Sequence, residues 1–520
     1  MRVSLKTLLL MSFSLVFLLL AVQFLAGLET SPIVWDDGGP SLSRELWRHI
    51  YALRNMLKRY IYWILGFHAL IAALAVFLEE QNPDRAIIWL GTLLLFPFVG
   101  LAAYVIIGPN LRNASHRWRV RRTSRRRSGD HPSALPSASP SLEHLLAVSC
   151  NALPTARNDV EVLLNGERTF RAIEKALYNA TDYIHMEYFS FASDELGTQI
   201  KNLLIARSRS GVKVRVLYDA VGSWHVGRGF LKELRDAGVE IHPFMPTAFA
   251  RFRSSVNHRD HRKIVVADGR VGFVGGLNIG DMYMGKDPQM GNWRDTHIQI
   301  TGEAVAELNR AFLFHWGQCT SKYMDYRRFS YAPPGEMEDT PLTIATSGPG
   351  RDFRAIADGY FYMIASAQKR IWITTPYLVP GAVISAALSV AAKSGVDVRI
   401  IIPSKADHTL VFWASQFNVD QLLQNGVRIF SYRDGFIHAK TAVMDGSIVS
   451  VGTTNLDLRS LEINYEVQAF IRSCDVAEKF ERAFLDDLEK CEEETLGKRH
   501  ARPFHQKLQS AVGRLWSSLL

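Results

Sequence analysis

One short pattern occurs twice in this chain, each time inside the same larger frame. His261, Lys263 and Asp268 form a His-x-Lys-x4-Asp motif, and His438, Lys440 and Asp445 form a second. Each is followed at the same distance by a small-residue turn ending in asparagine, Gly275-Gly276-Leu277-Asn278 and Gly452-Thr453-Thr454-Asn455. One such motif arises by chance in on the order of a few per cent of chains this long. Two copies with matched turns do not. The flanking residues are apolar and β-branched, Lys263–Val266 before Asp268-Gly269 and Val271–Val274 after it, and the second copy repeats this around Asp445-Gly446. That is the signature of a two-residue β-hairpin. Residues i and i+2 of a strand share a face, so His and Lys project together from the start of each hairpin, and the Asn that ends the returning strand can reach them. Imidazole, ammonium and carboxamide together suit a phosphate that must be both held and attacked. Asp268 and Asp445, at the far end, read as turn and ion-pair residues.

A lone histidine on a strand is usually structural; two in identical contexts are not. His258 and Asp260, just upstream, are assigned supporting roles only. The duplication also reaches beyond the motif. Ser210–Arg215 (SGVKVR) matches Ser394–Arg399 (SGVDVR), Ala237–Ile241 matches Asn425–Ile429, and Glu187-Tyr188-Phe189 aligns with Thr375-Pro376-Tyr377. Each half alternates strands and helices, an α/β pattern of single-domain size, over 142–330 and 331–495. Carboxylates should fix the histidine tautomers. Glu466, on the strand after the second hairpin, is the expected partner of His438, and Asp295, in the comparable place, that of His261.

At these residues the chain resembles the phospholipase D superfamily, and within it the bacterial cardiolipin synthases. The similar stretches include Tyr183–Phe189 (YIHMEYF), Ser210–Leu217 (SGVKVRVL) and Gly452–Glu466 (GTTNLDLRSLEINYE), and the likeness runs from about residue 60 to the C-terminus. It implies two α/β/α sandwich halves with pseudo-twofold symmetry around one shared active site. It also implies a two-step reaction in which His261 attacks phosphorus and His438 protonates the leaving alcohol. The catalytic set is then His261, Lys263, Asp268, His438, Lys440 and Asp445, with Asn278, Asn455, Asp295 and Glu466 in support. No cofactor or metal is expected, since lysine and asparagine supply the charge stabilisation. No nucleotide-binding or zinc signature appears, and Cys150, Cys319, Cys474 and Cys491 fit reduced thiols.

The N-terminal part points to a membrane. Residues 8–28 form an apolar run long enough to span, and two more cover about 60–78 and 87–107 around an acidic turn containing Asn82-Pro83. This pair, over 58–108, resembles the two-helix anchor of the same family; residues 1–30 read as a signal or a span. Arg112 to Arg127 holds eight arginines against a formal net charge of +9, so the excess charge is concentrated in a linker over 109–141. By the positive-inside rule this stretch, and the catalytic halves after it, lie on the cytoplasmic side. Residues 496–520 carry Phe504, Leu508, Val512, Leu515, Trp516 and Leu519 at mostly helical spacing, an expected interfacial amphipathic helix. Trp224, Tyr377, Phe412 and Trp413 are placed in loops that could line an acyl-chain entrance. Three functions compete. Two phosphatidylglycerols could give cardiolipin and glycerol. The chain could instead perform another phosphatidyl transfer or hydrolysis, or be a membrane-tethered nuclease. The first is favoured, with membrane phospholipids and not nucleic acid as partner.

Overall fold

The computed structural model describes residues 83–96, 141–244, 258–329, 338–348 and 354–516, with single helical positions between 70 and 104. The chain folds as two units, one formed mainly by residues 1–111 and the other by the rest. In the first unit a helix runs from Pro83 to Leu95. Its start at a proline is expected, because the first helical position needs no N–H. It begins four residues before the apolar segment assigned from 87. No helix among the described residues is long and apolar enough to cross a membrane. The segments 8–28 and most of 60–78, and the linker to residue 140, lie outside the described residues.

The second unit contains two large sheets and, among the described residues, two short two-stranded ones. The first half supplies β1 (Asn158–Leu164), β2 (Tyr183–Tyr188), β3 (Lys213–Asp219), β4 (Glu240–Phe244), β5 (Lys263–Ala267), β6 (Val271–Gly275) and β7 (Thr296–Gly302). The second half supplies β8 (Leu342–Ser347), β9 (Arg370–Thr374), β10 (Asp397–Pro403), β11 (Arg428–Tyr432), β12 (Thr441–Met444), β13 (Ile448–Gly452) and β14 (Glu466–Arg472), with β15 (Cys491–Glu493) at an edge. The strand orders are β1-β7-β6-β5-β2-β3-β4 and β8-β14-β13-β12-β9-β10-β11, one repeated topology. In each, three parallel strands joined by helices meet an antiparallel hairpin that carries the motif.

The hairpin strands are buried on both faces, which explains their near-continuous apolar runs. Ile264 and Val266 face a core shared with Val443, Val451 and Val467 of the second sheet. Val265 and Ala267 face the core beneath the helices of their own half. Each fully buried Val or Ile contributes about 1.5–3 kcal/mol, so the shared layer fixes one sheet on the other. The helix Leu142–Cys150, assigned to the first half from sequence, packs instead in the core of the second, as its Leu142, Leu146 and Cys150 show. The strand Pro154–Thr155 likewise extends the second sheet through β8.

Register corrects one alignment. Tyr188 pairs with Lys263 and Thr374 with Thr441, so Tyr188 corresponds to Thr375. The counterpart of Tyr377 is therefore Ser190, and not Phe189. The C-terminal helix Phe504–Trp516 packs through Gly513 on Trp413 and Ala414 of the helix Thr409–Gln424, with Arg514 over the Phe417 ring. Its Phe504, Leu508 and Val512 stay exposed.

Candidate active site

Both motif histidines sit just before their hairpins, and each is held by the opposite half. His261 N donates to the Tyr465 carbonyl at 2.9 Å, and His438 N donates to the Arg294 carbonyl at 2.7 Å. The residue after each of those carbonyls is a carboxylate. Glu466 accepts from His261 Nδ1 with both oxygens at 3.0 Å, and Asp295 accepts from His438 Nδ1 at 2.8 Å. The two carboxylates expected from sequence are therefore the right ones, but their partners are exchanged. Phe436-Ile437 pairs with Trp293-Arg294, and Asp260 bridges Tyr465, so the strand that delivers each carboxylate comes from the other half. Sequence distance cannot report such a crossing.

The small turn residues now have a reason. A Cβ on Gly276 would lie 2.2 Å from Asp295 Oδ1, and one on Gly452 would lie 2.4 Å from the Val467 carbonyl. Where the second copy has Thr453, its hydroxyl donates to Glu466 at 2.6 Å. With Nδ1 protonated toward a carboxylate, Nε2 of each histidine carries the lone pair, the state required for attack on phosphorus or for proton exchange.

Lys263 Nζ donates to the His261 carbonyl at 2.7 Å, and Lys440 makes the matching bond to the His438 carbonyl. Lys440 Nζ also lies 2.7 Å from His438 Nδ1. Because that nitrogen already donates to Asp295, we read this contact as charge on ring and not as a second hydrogen bond. Burial pushes Lys263 down to about 7 and Lys440 down to about 8, against the pull of Glu466 and Asp295. Burial likewise holds His438 at about 4, with Lys440 adding to the effect and Asp295 opposing it, and it lowers His261. Glu466 and Asp295 stay below the ordinary carboxylate range despite burial: His261 and Lys263 lower Glu466, and Lys440 and His438 lower Asp295. Two buried lysines, each facing a carboxylate and a histidine, line the pocket. Asn278 is engaged by Ser190 N and Tyr283 Oη, while the buried Oδ1 of Asn455 has no hydrogen-bond partner among the described residues.

Asp268 and Asp445 stand apart from this cluster. Both have positive φ, 53° and 52°, at the hairpin turns. Asp268 accepts from the amides of Thr181, Asp182 and Tyr183, and Asp445 from those of Gln368, Lys369 and Arg370, at 2.8–2.9 Å. They tie each hairpin to the start of β2 or β9. Backbone amides, more than ion pairs, are their partners.

Several neighbours gave no sequence signal. Phe189 packs edge-on to His261 at 5.2 Å between ring centroids, and Trp293 lies 5.1 Å from His438. Phe412 and Trp413, expected in a loop, lie on the helix Thr409–Gln424, whereas Trp224 is 72% exposed. Behind His261, Glu187, Asp260 and His315 form a buried trio whose ligand-type atoms lie within 4.8 Å of one another. Arg262 Nη1 is 2.9 Å from His315 Nε2, and His315 Nδ1 is 2.6 Å from Glu187. The guanidinium supplies this trio with positive charge and the neutral imidazole with an N–H donor, so the donor set does not call for a metal. His258 Nδ1 lies 3.0 Å from the Ile463 carbonyl, and Asp260 forms an isolated bridge with Tyr465.

Paired histidines cross-braced by carboxylates, on two repeats of one sheet topology, define a phospholipase D-like fold. A family model described as "Cardiolipin synthase, PLD-like domain" matches residues 173–316 and 360–488, and one described as "Phospholipase_D-nuclease N-terminal" matches 69–109. Cardiolipin synthase 2 of Bacillus anthracis is 40% identical over 468 residues, covering 87% of this chain and 90% of its own. The major cardiolipin synthase of Bacillus subtilis is 35% identical over 478 residues, covering 88% and 98%. Among solved structures, the phosphatidylserine synthase of Haemophilus influenzae aligns with a TM-score of 0.55 at 14% identity, over 73% of this chain and all of that one. The chain belongs to the cardiolipin synthase family of phospholipase D-like proteins.

Proposed function

We propose that this chain joins two phosphatidylglycerols into cardiolipin and glycerol through a phosphatidyl-histidine on His261. The chain is a phosphatidyltransferase, a cardiolipin synthase; the lipid pair and the roles of single residues are our reading. In the first step His261 Nε2 attacks phosphorus, the bond to the headgroup glycerol breaks, and His438 Nε2 delivers its proton to the departing oxygen. In the second, a hydroxyl of another phosphatidylglycerol gives its proton back to His438 and attacks phosphorus, which frees His261. Lys263, Lys440, Asn278 and Asn455 hold the non-bridging oxygens. His438 is neutral in the empty pocket, and the arriving phosphodiester anion favours its protonated form. Asp295 and Glu466 keep each Nδ1–H in place throughout.

The observation that carries this reading is the crossed bracing of two histidines by two carboxylates. It supports a reading in which the lone-pair nitrogen of each histidine faces one centre lined by Lys263 and Lys440. The apolar stretches at 60–78 and 87–107, and the match over 69–109, support a multi-pass anchor in a bacterial cell membrane. The arginine-rich linker supports catalysis on the cytoplasmic face. The test uses purified protein in vesicles of phosphatidylglycerol alone: cardiolipin and glycerol should appear in equal amounts without added nucleotide. His261→Ala and His438→Ala should each abolish turnover, and mixing the two variants should not restore it, because both histidines serve one chain. Release of phosphatidic acid in place of cardiolipin would replace this reading with hydrolysis.

A further inference from the structure

The site is twofold in its histidines, lysines and carboxylate braces, but not in what surrounds them. Tyr377 follows β9 and is pinned there. Its carbonyl accepts from Thr375 Oγ1 at 2.9 Å, and the next residue, Leu378, pairs with Leu456, the neighbour of Asn455. The Tyr377 hydroxyl donates to Asp407 Oδ2, in the loop after β10, and Asp407 Oδ1 accepts from His408 N at 2.7 Å. Asp407 is half-buried, and its charge is felt by His438, Lys440 and Tyr283. By register the first half places Ser190 where the second has Tyr377, and Ser223, whose Oγ accepts from Phe191 N, answers to Ser415, whose Oγ accepts from Leu378 N. Ser223 Oγ spends its proton on the Phe189 carbonyl. The first half therefore has no phenol at the Tyr377 position to hold a carboxylate there.

A carboxylate near a pocket for a phosphodiester repels the substrate anion. A carboxylate held there by a tyrosine needs a ligand group that welcomes it. Hydroxyls do: a carboxylate oxygen has two acceptor sites, so Asp407 can keep Tyr377 and still accept from a ligand O–H. The headgroup of phosphatidylglycerol brings vicinal hydroxyls to the site twice, on the departing glycerol and on the acceptor. Both stand across phosphorus from the attacking nitrogen.

We propose that Asp407, held by Tyr377, forms a polyol subsite beside His438 that binds the secondary hydroxyl of the glycerol group. The primary hydroxyl is thereby placed against His438 Nε2. There its proton passes to the imidazole as the new oxygen–phosphorus bond forms and the bond from phosphorus to His261 breaks. The subsite rests on the phosphatidyl-transfer reading and deepens it. It assigns the alcohol to the His438 side and the nucleophile to the His261 side, from asymmetry within this chain.

The full-length protein would be given cardiolipin as donor and equal concentrations of glycerol and 1-propanol as competing acceptors. The propanol has the same three carbons and no second hydroxyl. Wild-type protein should prefer glycerol. In Asp407→Asn and Tyr377→Phe the ratio of glycerol to propanol transfer should fall about 10- to 100-fold, the worth of a hydrogen bond to a charged group. The change should appear in the KM for glycerol. Tyr377→Phe removes one oxygen and keeps the packed ring, so it stands in should Asp407→Asn fail to fold. An unchanged ratio in a wild type that makes cardiolipin overturns the polyol subsite alone. A wild type that makes no cardiolipin removes the transfer reading and the subsite with it.

Discussion

At the scale of the residue, the crossed carboxylates make a sharper claim than the histidines do. If Glu466 serves His261, then Glu466→Gln should slow the appearance of phosphatidyl-histidine, by about 10- to 100-fold for the loss of an orienting partner. Asp295→Asn should act chiefly through His438, on the proton passed to and from the alcohol. Acid-quenched single turnovers separate the two; a Glu466→Gln variant that forms the intermediate at the normal rate would contradict the pairing seen here. The lysines set a pH limit. Their cationic forms hold the anion, and burial has lowered Lys263 to about 7 and Lys440 to about 8. In the free enzyme those charges are present at lower pH and are lost as pH rises through that range. We therefore expect kcat/KM to decline between about pH 7 and 8, and a profile flat to pH 9 would show that neither lysine titrates there. The sequence disclosed the two histidines, lysines, asparagines and both carboxylates, because strand periodicity and repetition mark them. It could not disclose which carboxylate meets which histidine, or that Tyr377 meets Asp407, because those contacts cross between loops 30 residues apart in sequence or more.

At the scale of the element, the hairpin was legible in full: apolar runs, the Asp-Gly turn and the Gly-x-x-Asn return all appear where the spacing put them. The slip of one residue between β2 and β9 came from aligning two apolar strands by composition alone, and only ladder pairing resolves such a shift. The aspartates of the motif belong to this scale. Each combines a left-handed backbone with three amide N–H bonds, so its work is to anchor the hairpin. Replacing Asp268 or Asp445 by Ala leaves three amides without their acceptor in a strained turn. We expect a loss of about 1–3 kcal/mol per site, measured by thermal or denaturant unfolding of the detergent-solubilised protein. Asn, which tolerates this backbone and can still accept, should cost less than Ala. Both carboxyls are lowered, by these amide bonds against burial. Their stabilisation is thus complete above the unfolded value of about 3.9 and is lost only as pH falls below it. Equal stability of the Ala and wild-type proteins would show that the turn does not need the carboxylate.

At the scale of the molecule, the proposed reaction exchanges one phosphodiester for another, with an intermediate that would keep the bond on the protein. The equilibrium should then lie near balance and answer to mass action. Incubating the enzyme with cardiolipin and a large excess of glycerol should regenerate phosphatidylglycerol, with the same histidines required in both directions because each step is the reverse of the other. Neither direction should need a nucleotide, since no activated donor is consumed. Chelators should leave the rate unchanged, because Lys263, Lys440 and the two asparagines carry the charge and hydrogen bonding for which a divalent ion would be recruited. The measurement is the lipid composition reached from each side, with and without chelator. If cardiolipin stayed intact under excess glycerol while the forward reaction ran, a step outside the phosphatidyl-histidine would have to drive it. A chelator-sensitive rate would show that a divalent ion takes part and would overturn that expectation.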